Sequence, residues 1–379
     1  MMRIGIIGGG VAGLHLASRL AGGGLSVRLF DHRTPYEKPC GGGMTSRTFE
    51  KFPFLKDPRL PRESVDTVEI HAPNGHRCVI RVPEPIHIVS RKSLGLFLLE
   101  ETSQSGVDLI PERVERVHET GAGWELSTSG GVFPADYLIL AAGCSSRISG
   151  APGQWPGAED LSLGVAYYPD KIFERKIILK FLEKPGTYLW IFPRVDHSSA
   201  GICAPLQSSR VHSLVGDLRK ALFELVGRDP LDGLKPSVGL IPSLRRRTRT
   251  RLRISGKRWS RIGDAGGFAN ALTKEGIYFA LESAEHLSRA ILSGRAERYP
   301  KNILAVFNGE FKIAAGLAKN FFRPAFIDWL VNKAACDGAM RHLLARLLSA
   351  SEPLASLETR VLRIFAGRDK PDSSAGNGD

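Results

Sequence analysis

Arg3-Ile4-Gly5-Ile6-Ile7-Gly8-Gly9-Gly10-Val11-Ala12-Gly13 is the stretch that decides the fold. Arg3 to Ile7 predicts a short buried strand, and Gly8 to Gly13 reads G-x-G-x-x-G. Leu14, Leu16, Ala17 and Leu20 recur at helical spacing directly after it, and Leu25 to Phe30 predicts a second strand that ends in Asp31. Strand, glycine turn, helix, strand and terminal acid in this order make a dinucleotide site. Gly8 permits the tight turn, Gly10 lets the backbone approach a pyrophosphate, and Gly13 lets helix and strand pack. Ala12 lies in the helix's first turn, whose unpaired N–H groups face the phosphates. Asp31 falls where an acid takes a ribose hydroxyl.

Two later segments suit the same extended ligand. Asp136 to Gly143 predicts a buried strand that closes on Ala141, Ala142 and Gly143, small enough for a cofactor to lie against the backbone. Ser260 to Phe268 contains Gly263-Asp264 and precedes a helix from Gly276 to about Leu292. Between these segments, Val65–Ile70 and Arg77–Val82 flank Pro73-Asn74-Gly75 and predict a β-hairpin. Arg91 opens a helix carrying Leu94, Phe97 and Leu98. Val107 to Ile110 predicts a third parallel strand, and Arg113–Val117 with Trp124–Ser127 a small antiparallel excursion.

The expected organisation is a discontinuous dinucleotide domain over 1–160 and 255–299. A sheet domain at 161–254 is inserted in it, with one helix near 211–226, and the hairpin 65–82 joins that sheet. A helical region follows at 300–366, and the polar residues 367–379 are expected to be disordered. The fold class is therefore α/β, with a Rossmann-type parallel sheet, an inserted antiparallel sheet and C-terminal helices.

The 379 residues carry a formal net charge of +13, which favours an anionic partner without choosing among nucleic acid, anionic lipid and a phosphorylated substrate. Cys40, Cys78, Cys144, Cys203 and Cys336 are widely spaced, so neither a metal site nor a disulfide framework is indicated. The first strand begins at once and no window reaches the apolar length of a membrane span, so a cytoplasmic location is expected, with peripheral attachment to a membrane left open. Arg245, Arg246, Arg247, Arg249, Arg251 and Arg253 read as a solvated strand face or as a contact to an anionic bilayer. No interleaved aromatics accompany them, so nucleic acid is not expected.

The three nucleotide segments together resemble the FAD domain of the flavoprotein hydroxylase and glutathione reductase type. That resemblance implies FAD as cofactor, Asp264 on a ribityl hydroxyl and Arg91 near the phosphates. A narrower resemblance rests on Pro185-Gly186-Thr187-Tyr188-Leu189-Trp190-Ile191-Phe192-Pro193, which matches the P-x-x-Y-x-W-x-F-P motif of the geranylgeranyl reductase family, and on Pro39-Cys40-Gly41-Gly42, similar to its P-C-G-G loop. On a strand, Tyr188, Trp190 and Phe192 share one face. They suit either sheet core or the wall of a substrate site, and the resemblance selects the wall. Cys40 is either a small buried hydrophobe or, as the resemblance implies, a residue touching substrate or flavin.

The chain departs from the family pattern twice. Thr273-Lys274-Glu275-Gly276-Ile277 has lysine where the family has glycine, and Cys203 stands where a second glycine is expected after Gly201. Lys274 is expected either to be solvated or to stabilise reduced flavin. The implied function is reduction of prenyl C=C bonds by reduced flavin, with a nicotinamide or a ferredoxin as electron donor. The same fold also serves flavin hydroxylases and halogenases, and a non-catalytic flavin-binding maturation factor is a further alternative. Partners are then a hydrophobic prenyl substrate, an electron-donor protein and an anionic membrane surface.

Overall fold

The computed structural model describes residues 1–145, 147–153, 157–351 and 354. Two large sheets carry the architecture. In the first, the order is Ser255–Gly256, Trp259–Arg261, Tyr137–Leu140, Arg3–Ile7, Ser26–Phe30, Asp108–Ile110, with every neighbouring pair parallel except the first. Ile4, Ile6 and Ile7 are all buried because both faces of this sheet are covered. The helices Val11–Gly22, Arg91–Gln104 and Ile277–Leu292 cover one face with Leu14, Leu98 and Leu281. The small sheet Arg116–Glu119, Trp124–Thr128, Gly131–Ala135 covers the other with Trp124 and Leu126.

The second sheet has eight strands in the order Ser237–Pro242, Leu161–Tyr167, Ser198–Pro205, Tyr188–Pro193, Ile177–Phe181, Glu63–His71, Arg77–Ile88, Gly43–Met44. The helix Val211–Val226 lays Leu214 and Leu218 on Leu189, Ile191 and Ile202, which fills one face. The opposite face is covered in part by the helices Tyr299–Phe321, Pro324–Cys336 and Gly338–Ser349, through Ile327, Val331 and Leu344 against Val68, Ile70 and Ile80. The predicted hairpin is part of this sheet, and its second strand runs past Pro83 and Pro85 to Ile88. The two prolines are tolerated because they lie where the register shifts between Val65 and Thr67, so no ladder bond is lost there.

The arginine run is not a strand. Arg246–Arg249 is a helical turn, and one buried carboxylate explains it. Asp160, 1% exposed, accepts from Arg245 N at 2.8 Å, Arg245 Nε at 3.2 Å and Thr248 Oγ1 at 2.8 Å. Arg249 is buried too, its guanidinium 4.0 Å from the Phe311 ring centroid and donating to the Gly267 carbonyl. Two of the six arginines are therefore structural. The predicted disordered tail, 367–379, and most of the predicted helical stretch beyond 351 lie outside the described residues. Among the described residues, no helix is long and apolar enough to cross a membrane.

Candidate active site

A cavity of about 590 Å³ runs between the two sheets and under the C-terminal helices. Its first end is backbone. Gly8 has φ +112°, and a Cβ there would lie 2.5 Å from the Ala141 carbonyl carbon; a Cβ on Gly13 would lie 1.9 Å from the Gly8 oxygen. Only glycine closes this turn. Gly10 leads into the helix Val11–Gly22 and Gly143 lies in the loop after the strand Tyr137–Leu140; at both, a Cβ would meet nothing within 4 Å. Together they leave an open, N–H-lined cradle at a helix N-terminus beside Ala12. Asp31 closes one side of it, with Oδ2 accepting from Gly9 N at 2.7 Å and Oδ1 from Arg33 N at 2.8 Å.

Along the cradle stand Gly263, Asp264, Gly276 and Arg91. Asp264 Oδ2 is 2.5 Å from Lys38 Nζ. Burial works to lower the Lys38 pKa, but Asp264 together with Cys144 and Tyr36 outweighs it, and the ammonium is held protonated. Gly276 precedes the helix Ile277–Leu292 without a side-chain cap, so that helix also presents free N–H groups to the cavity. Arg91 opens its helix at the cap Ser90. Its buried Nε has no hydrogen-bond partner, and although burial alone would depress its pKa, Cys40, Tyr36 and Asp264 raise it. A guanidinium with an Nε–H free to donate, beside an open glycine cradle, fits an anionic cofactor.

The segment 36–43 joins the two ends and is clamped at Glu37, Lys38 and Cys40. The Glu37 carboxylate accepts from Ser90 Oγ, Arg91 N and Lys92 N, and from Arg194 Nη2 at 3.0 Å. Tyr168 donates to the Lys38 carbonyl and Ser237 to that of Glu37. The Cys40 carbonyl accepts from Ser199 Oγ at 2.9 Å and Arg194 Nη2 at 3.2 Å, while the Cys40 thiol lines the cavity. Sequence reasoning missed Lys38 and Arg194. Their signal was position, since Lys38 directly precedes Pro39-Cys40-Gly41-Gly42 and Arg194 directly follows Pro193.

The second end of the cavity is apolar. Tyr188, Trp190 and Phe192 line it, with Phe181 beside Tyr188 on the neighbouring strand, Phe321 and Phe322 against them from the C-terminal helices, and Leu330, Leu344 and Leu347 beyond. Glycines elsewhere make room for these rings. A Cβ on Gly201 would lie 2.2 Å from Trp190 Cζ2, and one on Gly41 would lie 2.7 Å from Phe192 Cδ2. The P-C-G-G loop and the aromatic strand are thus one packed unit. Lys274, with φ +60°, lines the same cavity; its Nζ donates to Ser243 Oγ at 2.8 Å.

Residues 2–174 match the family of pyridine nucleotide-disulphide oxidoreductases. The chain is 24% identical to the chloroplastic geranylgeranyl diphosphate reductase of Oryza sativa subsp. japonica over 85% of this chain and 75% of that one. It is 26% identical to digeranylgeranylglycerophospholipid reductase 2 of Methanosphaera stadtmanae, over 73% of this chain and 74% of that one. The chain is an FAD-dependent oxidoreductase similar to geranylgeranyl reductases. Among solved structures, a geranylgeranyl bacteriochlorophyll reductase-like protein of Thermoplasma acidophilum superposes with a TM-score of 0.76 at 17% identity, covering 94% of this chain and 98% of that one. A flavin-dependent brominase superposes with a TM-score of 0.69 at 16% identity, covering 97% of this chain and 99% of that one. The fold is thus shared by proteins of different chemistry and does not by itself select a reaction.

Proposed function

We propose that the chain reduces C=C bonds of a geranylgeranyl or related prenyl substrate. The observation that carries this reading is the continuity of one cavity from the glycine cradle to an aromatic and leucine-lined end. A long hydrocarbon needs such a wall, and the rice and Methanosphaera stadtmanae relatives, each spanning most of this chain's length, are named for geranylgeranyl substrates.

In this reading Gly8, Gly10, Ala12, Gly13, Asp31, Arg91, Gly143, Gly263, Asp264 and Gly276 hold FAD. Bound and reduced, FAD supplies the hydride equivalent. Arg91 and the helix N-terminus at Val11 take the diphosphate, and Asp264, held by Lys38, presents an acceptor to a hydroxyl. Tyr188, Trp190 and Phe192 form the wall along which the prenyl chain lies, and the clamped segment 36–43 holds Cys40 between wall and cradle. Their joint effect is alignment and exclusion of water. A nicotinamide or a ferredoxin supplies the electrons.

Incubation of the FAD-loaded protein with excess dithionite and geranylgeranyl lipids under argon, followed by mass spectrometry, tests the proposal. A gain of two hydrogens per double bond supports it, and unchanged lipid rejects it.

A further inference from the structure

Lys274 and Cys203, the two departures from the family pattern, lie on one side of the same cavity wall and within electrostatic reach of each other in the folded chain. Cys203 stands directly across from Tyr188 in the antiparallel pairing of Tyr188–Pro193 with Ser198–Pro205. Its thiol is buried, and Tyr188 and Ser162 are near enough to act on its ionisation. Ser162 Oγ is 2.8 Å from Ser243 Oγ, which accepts from Lys274 Nζ at 2.8 Å. A polar strip, Tyr188-Cys203-Ser162-Ser243-Lys274, therefore runs beside the apolar wall of Trp190, Leu179, Ile241 and Phe322.

The strip has a charge to satisfy. Among the described residues no carboxylate pairs with Lys274, and its other close neighbour is the Phe322 ring, whose centroid is 5.5 Å from Nζ. Burial lowers the Lys274 pKa, opposed only by Cys203. At φ +60° a glycine would be unstrained, whereas lysine pays a conformational cost to hold this position. A hydrocarbon has no use for a cation there, and a desolvated ammonium without a counter-ion is costly. The other cations lining the cavity, Arg33, Lys38, Arg91 and Arg113, belong to its dinucleotide end. One lysine, with no second cation beside it, matches one negative charge and not a diphosphate.

We infer that the end of the strip where Lys274 lines the cavity is a substrate subsite that takes a single ionised oxygen group, a carboxylate carried by the apolar substrate, with Lys274 as its counter-ion, held from behind by Ser243. The inference rests on the prenyl reading of the cavity.

Equilibrium dialysis of the FAD-loaded full chain against geranylgeranoic acid and geranylgeraniol tests it. The wild type should bind the acid more tightly than the alcohol by roughly thirtyfold, the size expected for a desolvated charge pair. Lys274→Gln and Lys274→Gly, the second of which suits the backbone at this position, should both abolish the preference and leave alcohol binding unchanged. Equal binding of acid and alcohol by the wild type overturns the subsite while the prenyl reading stands. So does a preference that survives both substitutions, or a Lys274→Gly variant whose flavin midpoint potential shifts with the preference intact. Failure to bind either lipid removes the prenyl reading and the subsite together.

Discussion

Trp190 lies flat over Gly201, the residue directly across from it on the next strand, and a Cβ on Gly201 would approach Trp190 Cζ2 to 2.2 Å. A rigid ring has no side-chain end to move aside. Gly201→Ala should therefore displace the indole, break its bond to Ser199 Oγ and cost roughly 2 kcal/mol of stability, as overpacked cores do. Thermal denaturation checks it, and an unchanged midpoint would refute the packing account.

Gly10 makes the opposite prediction. A Cβ there meets only open space, so Gly10→Ala should leave the FAD-free protein as stable as wild type, to within about 0.5 kcal/mol. FAD affinity should nonetheless fall at least tenfold, because the methyl group occupies the approach of the diphosphate. Differential scanning fluorimetry with and without FAD separates the two effects. Equal FAD affinity would show that the cradle does not hold the cofactor.

Arg91→Met removes a cation whose Nε has no partner within the protein. No carboxylate is left orphaned in an ion pair, so apo stability should not fall. FAD affinity should drop on the order of tenfold to a hundredfold, the worth of one charged hydrogen bond. Titration of apoprotein with FAD, read by flavin fluorescence, measures it.

Glu37 sets an acid limit on the clamp. Burial would raise its pKa, but Arg194, Ser90 and Lys92 outweigh that and hold it below the ordinary value of 4.5. The sign follows from a depressed acid: its stabilisation is complete above the unfolded pKa and is lost as pH falls through the lower folded one. Glu37→Gln should cost on the order of 3 kcal/mol at neutral pH, because Arg194, 2% exposed, loses its counter-charge. Melting curves from neutral pH to below pH 4 check this. A variant whose acid sensitivity equals that of wild type would exclude Glu37 as the source.

The sequence made some of this legible and hid the rest for a physical reason. Gly8, Gly10, Gly13 and Asp31 could be read because turn, helix and strand lie within one short segment whose geometry is local. The aromatic strand could be read because alternate residues share a face. Lys38–Asp264 and Glu37–Arg194 could not, being separated by 226 and 157 residues and joined only by the approach of the two sheets. The arginine run misled because its organiser, Asp160, lies 85 residues before Arg245. Lys274 and Cys203 were each visible as exceptions, but their adjacency depends on strand pairing and on the loop that follows Phe268.

The central claim is that reduced flavin in this cavity passes its electrons to a prenyl double bond. The most direct measurement reduces the FAD-loaded protein stoichiometrically without oxygen, adds a geranylgeranyl lipid, and follows flavin absorbance together with the mass of the lipid. Flavin reoxidation matched by two hydrogens gained per double bond is expected. A flavin that stays reduced until air is admitted, with the lipid unchanged, would contradict it and favour an oxygen-using hydroxylase or halogenase.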